Sequence, residues 1–166
     1  IRKLQEITKG QITAAGTGIG IAFSRYKNTA SYCAVAAQVV VNAKEKTLRV
    51  QKMWAAIDAG EVINPDGLKN QTEGGLIQSA SWTLREQVKF DNRHITSTDW
   101  DSYPVFRFTE VPDVEVVVLN QPEEEAMGAG EAAQGPASAA IANAVYRACG
   151  KRIRDLPILP EKLFNG

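Results

Sequence analysis

From Cys33 to Val41 every second residue, Cys33, Val35, Ala37, Val39 and Val41, is apolar and falls on one face of an extended chain. That period of two over residues 31–42 predicts a strand. A polar tip, Ala43-Lys44-Glu45-Lys46, separates it from a second run, Thr47 to Ala56, so the pair is expected to form an antiparallel hairpin. Residues 1–16 are mixed and polar and suggest no element. Between them and the hairpin lies Gly16-Thr17-Gly18-Ile19-Gly20-Ile21-Ala22-Phe23, a glycine-rich lead into a strand. Glycines at alternate positions strip one face of side chains, and something is expected to pack very close there.

Asn64-Pro65-Asp66-Gly67 breaks the chain, and apolar positions from Leu68 predict a helix to about Glu86. Residues 88–112 carry Pro104 and Pro112 among short polar and aromatic stretches, which suits extended segments and loops. Val114 to Leu119 is the clearest strand signal. Glu131 to Cys149, rich in alanine and closed by Gly150, is the clearest helix. Pro157 and Pro160 mark an irregular tail. The expected fold is α+β: an antiparallel, hairpin-rich sheet with the 68–86 and 131–149 helices packed on it. Without an internal repeat or low-complexity linker, residues 1–166 are read as one domain or piece.

Composition narrows the function classes. With 44% hydrophobic and 23% charged residues the chain matches ordinary globular usage, so disorder and coiled coil are set aside. Nineteen basic and nineteen acidic residues balance, which removes the electrostatic argument for nucleic acid or an anionic membrane as partner. No apolar run reaches the roughly 20 residues of a membrane span. One histidine, His94, cannot build a multi-histidine metal site, and Cys33 and Cys149 lack metal-ligand spacing and are read as buried thiols. Trp54, Trp82 and Trp100 are read as core or interface aromatics, His94 as a solvated loop residue, and Glu123-Glu124-Glu125 as an exposed acidic turn. The chain opens on Ile1, which reads as processing or as a piece of something longer.

Two places carry more than fold-building requires. Gln71-Thr72-Glu73-Gly74-Gly75 puts two adjacent glycines inside a helix, at a cost of about 2 kcal/mol relative to alanine. Either the helix packs closely on a strand, or the bare backbone admits a bulky ligand, with Gln71 one turn away offering a donor and acceptors. Met127-Gly128-Ala129-Gly130-Glu131 lets the backbone bend and approach a ligand, and places Glu131 at the head of the next helix. Glu131 is then either an ordinary first-turn glutamate or a catalytic acid or base. Gly128-x-Gly130-x-x-Ala133 imitates a dinucleotide fingerprint, but seven mostly polar residues separate it from the strand, and Asp155 lies in the tail rather than at the end of a second strand.

Seven short motifs run in a fixed order: Lys27-Asn28-Thr29, Ile63-Asn64-Pro65, Gln71-Thr72-Glu73-Gly74-Gly75, Tyr103-Pro104, Gly128-Ala129-Gly130-Glu131, Ala140-Ile141-Ala142-Asn143-Ala144 and Arg152-Ile153-Arg154-Asp155-Leu156-Pro157. In this the chain resembles the C-terminal part of the large, molybdenum-binding subunit of the xanthine dehydrogenase and aldehyde oxidase family, and most of all its isoquinoline oxidoreductase-like branch. The resemblance implies the fold of a molybdenum-cofactor-binding region and hydroxylation of an aldehyde or N-heteroaromatic carbon with water-derived oxygen. It implies Glu131 as general base and Gln71 as a contact of the pyranopterin. Gly74, Gly75 and the backbone of Gly128, Ala129 and Gly130 would make room for that ligand. The cofactor would be a molybdenum–pyranopterin, with or without a cytosine nucleotide, held by the cradle rather than by metal-ligating side chains of this chain. Iron–sulfur clusters are expected on a partner chain or domain, and the remainder of the molybdenum-binding subunit as a further partner. The chain by itself should be inert. The rival reading is a non-catalytic assembly module that keeps the fold and binds a partner chain. The sequence assigns no compartment.

Overall fold

The computed structural model describes residues 1–11 and 14–164. Helix α1 (Arg2–Ile7) leads into strands β1 (Thr17–Arg25), β2 (Tyr32–Asn42) and β3 (Thr47–Asp58). Helix α2 (Pro65–Leu84), strand β4 (Asp113–Leu119) and helices α3 (Gln134–Cys149) and α4 (Pro160–Phe164) follow. The strands form one sheet in the order β1-β2-β3-β4. β1/β2 and β2/β3 are antiparallel, as the hairpin pattern requires. At the hairpin tip Asn42 Oδ1 accepts from the N–H groups of Lys44 at 3.0 Å and Glu45 at 3.1 Å, a side-chain-mediated turn.

The α+β architecture is the expected one, with one difference inside it. β4 runs parallel to β3, Ala55 facing Val116. The β-branched run in residues 114–119 specifies a strand but does not by itself fix its direction. The link through α2 and the 85–112 segment is long enough to return the chain to the end from which β3 started, as a parallel pair demands.

α2 and α3 pack on one face of the sheet. Cys33, Val35, Ala37 and Val39 of β2 and Met53, Ala55 and Ile57 of β3 meet Leu76, Ala80 and Leu84 of α2 and Ala137, Ala140, Ile141 and Ala144 of α3. On the other face Ala34, Ala36, Trp54 and Ala56 are covered by Leu4 of α1, an element the polar N-terminal segment did not announce. The close approach expected at β1 is real: a methyl on Gly18 would stand 2.2 Å from Ala144 O, and one on Gly20 would stand 2.2 Å from both Ala140 O and Ala144 N. α3 lies backbone-to-backbone on β1.

Helix boundaries differ from expectation for local reasons. α2 begins at Pro65 because the Asn64-Pro65-Asp66-Gly67 break is itself a cap: the Asn64 side chain accepts from Gly67 N at 2.9 Å, with proline at the first helical position. α3 begins at Gln134, three residues later than expected, and ends at Gly150, whose φ of 73° and N–H to Tyr146 O at 2.7 Å close the last turn. The tail holds a short helix, α4, seated through buried Leu163.

The two cysteines are not alike. Cys33 is buried and burial pushes its thiol up to about 12, whereas Cys149 is the exposed last residue of α3, not a buried thiol. Trp54 is buried, and Trp82 donates from Nε1 to Ser138 Oγ at 3.1 Å. Trp100 is no core residue: it is 77% exposed in the loop-rich 88–112 segment. His94 and Glu123, Glu124 and Glu125 are exposed, as expected. No helix among the described residues is long and apolar enough to cross a membrane.

Candidate functional site

Three segments distant in sequence meet beside the entry to α3. Gln71, in the second turn of α2, donates from Nε2 to Gly130 O at 2.6 Å. One N–H and the Oε1 acceptor of that amide remain for another group. The glycine pair after it divides between the two readings open in the sequence. A methyl on Gly75 would meet Ala133 Cβ at 3.6 Å and Gln134 Cγ at 3.7 Å, so Gly75 serves close packing, against the entry to α3 rather than against a strand. A methyl on Gly74 would meet nothing within 4 Å, and this residue leaves open surface.

The 128–131 segment is pinned at its start. Ser31, fully buried, donates from Oγ to Gly128 O at 2.9 Å, and Met127 N donates to Ala59 O at 2.8 Å. Beyond this anchor the backbone is open: methyls on Gly128 and Gly130 would meet nothing within 4 Å, and neither glycine has a positive φ. Among the described residues, the N–H groups from Gly128 to Glu131 donate to no other group. Four backbone donors and part of one amide are therefore left without a protein partner in this stretch.

Glu131 is not at the head of a helix. It sits in the turn that precedes α3, its carbonyl accepting from Gln134 N at 3.2 Å, so the macrodipole argument does not apply to it. Its exposed carboxylate is instead held by a residue the sequence did not single out: Tyr26 Oη donates to Glu131 Oε2 at 3.1 Å. Tyr26 opens a short 3₁₀ turn, Tyr26–Asn28, in which Lys27 and Asn28 adopt φ of 50° and 62°. Asn tolerates this region better than most residues, which is the one local signal for a tight turn here. No local signal pointed to Tyr26 or Ser31. No three His, Cys, Asp or Glu side chains come together as a metal-binding group among the described residues, so the site is built from backbone, one amide and one carboxylate.

Residues 6–112 match the family described as the molybdopterin cofactor-binding domain. The chain belongs to that family. The match takes in Gln71, Gly74 and Gly75 and stops short of the 128–131 segment. Over 98% of its length the chain is 36% identical to a nicotinate dehydrogenase subunit of Pseudomonas putida, of which it covers 14%. Over 87% it is 33% identical to the beta chain of isoquinoline 1-oxidoreductase of Brevundimonas diminuta, of which it covers 18%. The crystal structure of quinoline 2-oxidoreductase from Pseudomonas putida superimposes on 81% of the chain with a TM-score of 0.75 and 31% identity, across 18% of that protein. The chain thus spans less than a fifth of these relatives. The molybdenum-hydroxylase resemblance read from the seven motifs is borne out, as is the isoquinoline oxidoreductase-like branch.

Proposed function

We propose that this chain forms one wall of the cofactor site of a molybdenum hydroxylase and supplies its general base, in an enzyme that oxidises an N-heteroaromatic or aldehyde carbon with oxygen from water. The observation that carries this reading is the contact of the Gln71 amide with Gly130 O, one residue before Glu131, whose exposed carboxylate is held by Tyr26. Nothing in the packing or backbone conformation of this chain demands glycine at 74, 128 or 130, and their bareness fits a rigid ring system lying against the main chain.

When bound, the molybdenum–pyranopterin cofactor supplies the two-electron oxidation. Gln71 orients it through its spare amide hydrogen and Oε1. The backbone of Gly128, Ala129 and Gly130 binds it without side-chain interference, and Gly75 keeps α2 close enough for Gln71 to reach. Glu131, its Oε2 engaged by Tyr26, has Oε1 free to take the proton of the attacking water-derived oxygen, as a base in hydrogen-bond reach must. The relatives named for nicotinate, isoquinoline and quinoline favour an N-heterocycle as substrate. The remaining parts of the reading are a cytosine-dinucleotide form of the pterin, iron–sulfur clusters on a partner chain or domain, and completion of the site by the rest of the molybdenum-binding subunit.

Gln71→Ala tests the cradle. It removes a contact worth about 1–1.5 kcal/mol, so molybdenum retained per complex after prolonged dialysis should fall roughly tenfold, read by mass spectrometry. Gln78→Ala, whose side chain pairs with Gln134 two turns further along α2, should retain it. Equal retention in both variants would contradict the assignment of Gln71.

A further inference from the structure

We infer that Tyr26 is the positioning residue that holds the Glu131 carboxylate in its working orientation, an inference that rests on Glu131 being the base. The Tyr26 hydroxyl is the one described group that hydrogen-bonds this carboxylate, and the two residues lie 105 positions apart in sequence. A glutamate on an open turn has three rotatable side-chain bonds and no packing of its own to select among them. A phenol donating to a carboxylate forms a charge-assisted hydrogen bond strong enough to select one arrangement.

The structure fixes Tyr26 more firmly than a surface loop requires. Its ring packs against the main core. Its N–H donates to Ser31 O at 2.7 Å and its carbonyl accepts from Ala30 N at 2.9 Å, closing the 26–31 loop on itself. Arg25 clasps the same loop from outside, donating to Thr29 O at 3.1 Å and Ala30 O at 3.3 Å. Lys27 and Asn28 keep left-handed backbone there without being glycine, strain that survives where surrounding contacts over-determine it and that clusters at functional sites. The Lys27 ammonium stands 5.2 Å from the centre of the Tyr26 ring, a cation–π contact that helps to hold the ring in place.

The two ends of this loop have matching tasks. Ser31 holds the main chain of the opposite segment at Gly128, and Tyr26 holds its functional side chain at Glu131. The main chain therefore keeps its place when the phenol hydroxyl is removed, and the carboxylate alone is released. Misplacing a reacting group by about 1 Å can cost on the order of 10²-fold in rate.

The test uses the holoenzyme that contains this chain. Tyr26→Phe should lower kcat by about 10–10²-fold, leave KM within about twofold and leave molybdenum content unchanged. Added to Glu131→Gln it should cost nothing further, because the group it positions has already been disabled. In a crystal structure of the Tyr26→Phe holoenzyme the Glu131 side chain should occupy more than one rotamer while the 128–131 main chain stays in place. If Glu131→Gln is inactive and Tyr26→Phe turns over at the wild-type rate with Glu131 in a single rotamer, this inference is overturned and the base reading stands. If Glu131→Gln itself turns over normally, the base reading falls and takes this inference with it.

Discussion

Glu131→Gln in the holoenzyme is expected to keep its molybdenum and lose turnover by about 10²–10⁴-fold, the range general-base catalysis supplies. The amide has nearly the shape of the carboxylate and can still accept from the Tyr26 hydroxyl, so the turn before α3 should not rearrange. The cradle proposed above is assigned to other groups, the Gln71 amide and the main chain of residues 128–130, so the cofactor should stay bound. What the amide cannot do is take a proton at neutral pH. Metal analysis and turnover measured on the same sample separate these effects. Loss of molybdenum together with activity would make Glu131 part of the cradle instead.

The largest effect on stability is expected from Gly20→Ala. The new methyl would stand 2.2 Å from Ala140 O, 2.2 Å from Ala144 N and 2.7 Å from Asn143 C, all main-chain atoms of α3 that cannot rotate aside. The helix must lift from β1, loosening the packing of Ala140, Ile141 and Ala144 behind it. Over-packing of this kind costs roughly 3 kcal/mol, and urea unfolding should show the midpoint fall accordingly. Gly74→Ala is the matching control. It adds a methyl to a helix where nothing lies within 4 Å and should stabilise the chain by about 0.5–1 kcal/mol. An unchanged midpoint for Gly20→Ala would mean that α3 does not rest on β1 as described.

These two residues also show where the sequence is informative. Alternating glycines on a strand announce that a partner comes close, and the contact of α3 with β1 bears this out. The hairpin was legible because β2 keeps a strict period of two and its tip is polar. β4 was legible as a strand but not as a parallel one, since direction is set by the connection and not by the strand's own residues. The start of α2 was hidden because Asn64 and Pro65, read as a break, serve as cap and first residue of the helix.

The site was partly legible for the same reason. Gln71, Gly130 and Glu131 stand out locally, as glycines and polar groups where a helix or turn would do without them. Their convergence is tertiary, and so are the contacts that complete it. Tyr26 meets Glu131 across 105 positions and Ser31 meets Gly128 across 97, and an unremarkable tyrosine and serine carry no mark of such a partnership. For Trp100, read as a core or interface aromatic, the structure excludes the core: it is exposed, in a segment held by short polar turns such as the Asp99–Ser102 contacts.

The most direct test of the central claim is an anomalous diffraction map of the holoenzyme recorded at the molybdenum absorption edge. The expected peak lies beside the 128–131 segment, close to the Gln71 amide and the Glu131 carboxylate. A single molybdenum peak on any other face of this chain would contradict the assignment of both the cradle and the base.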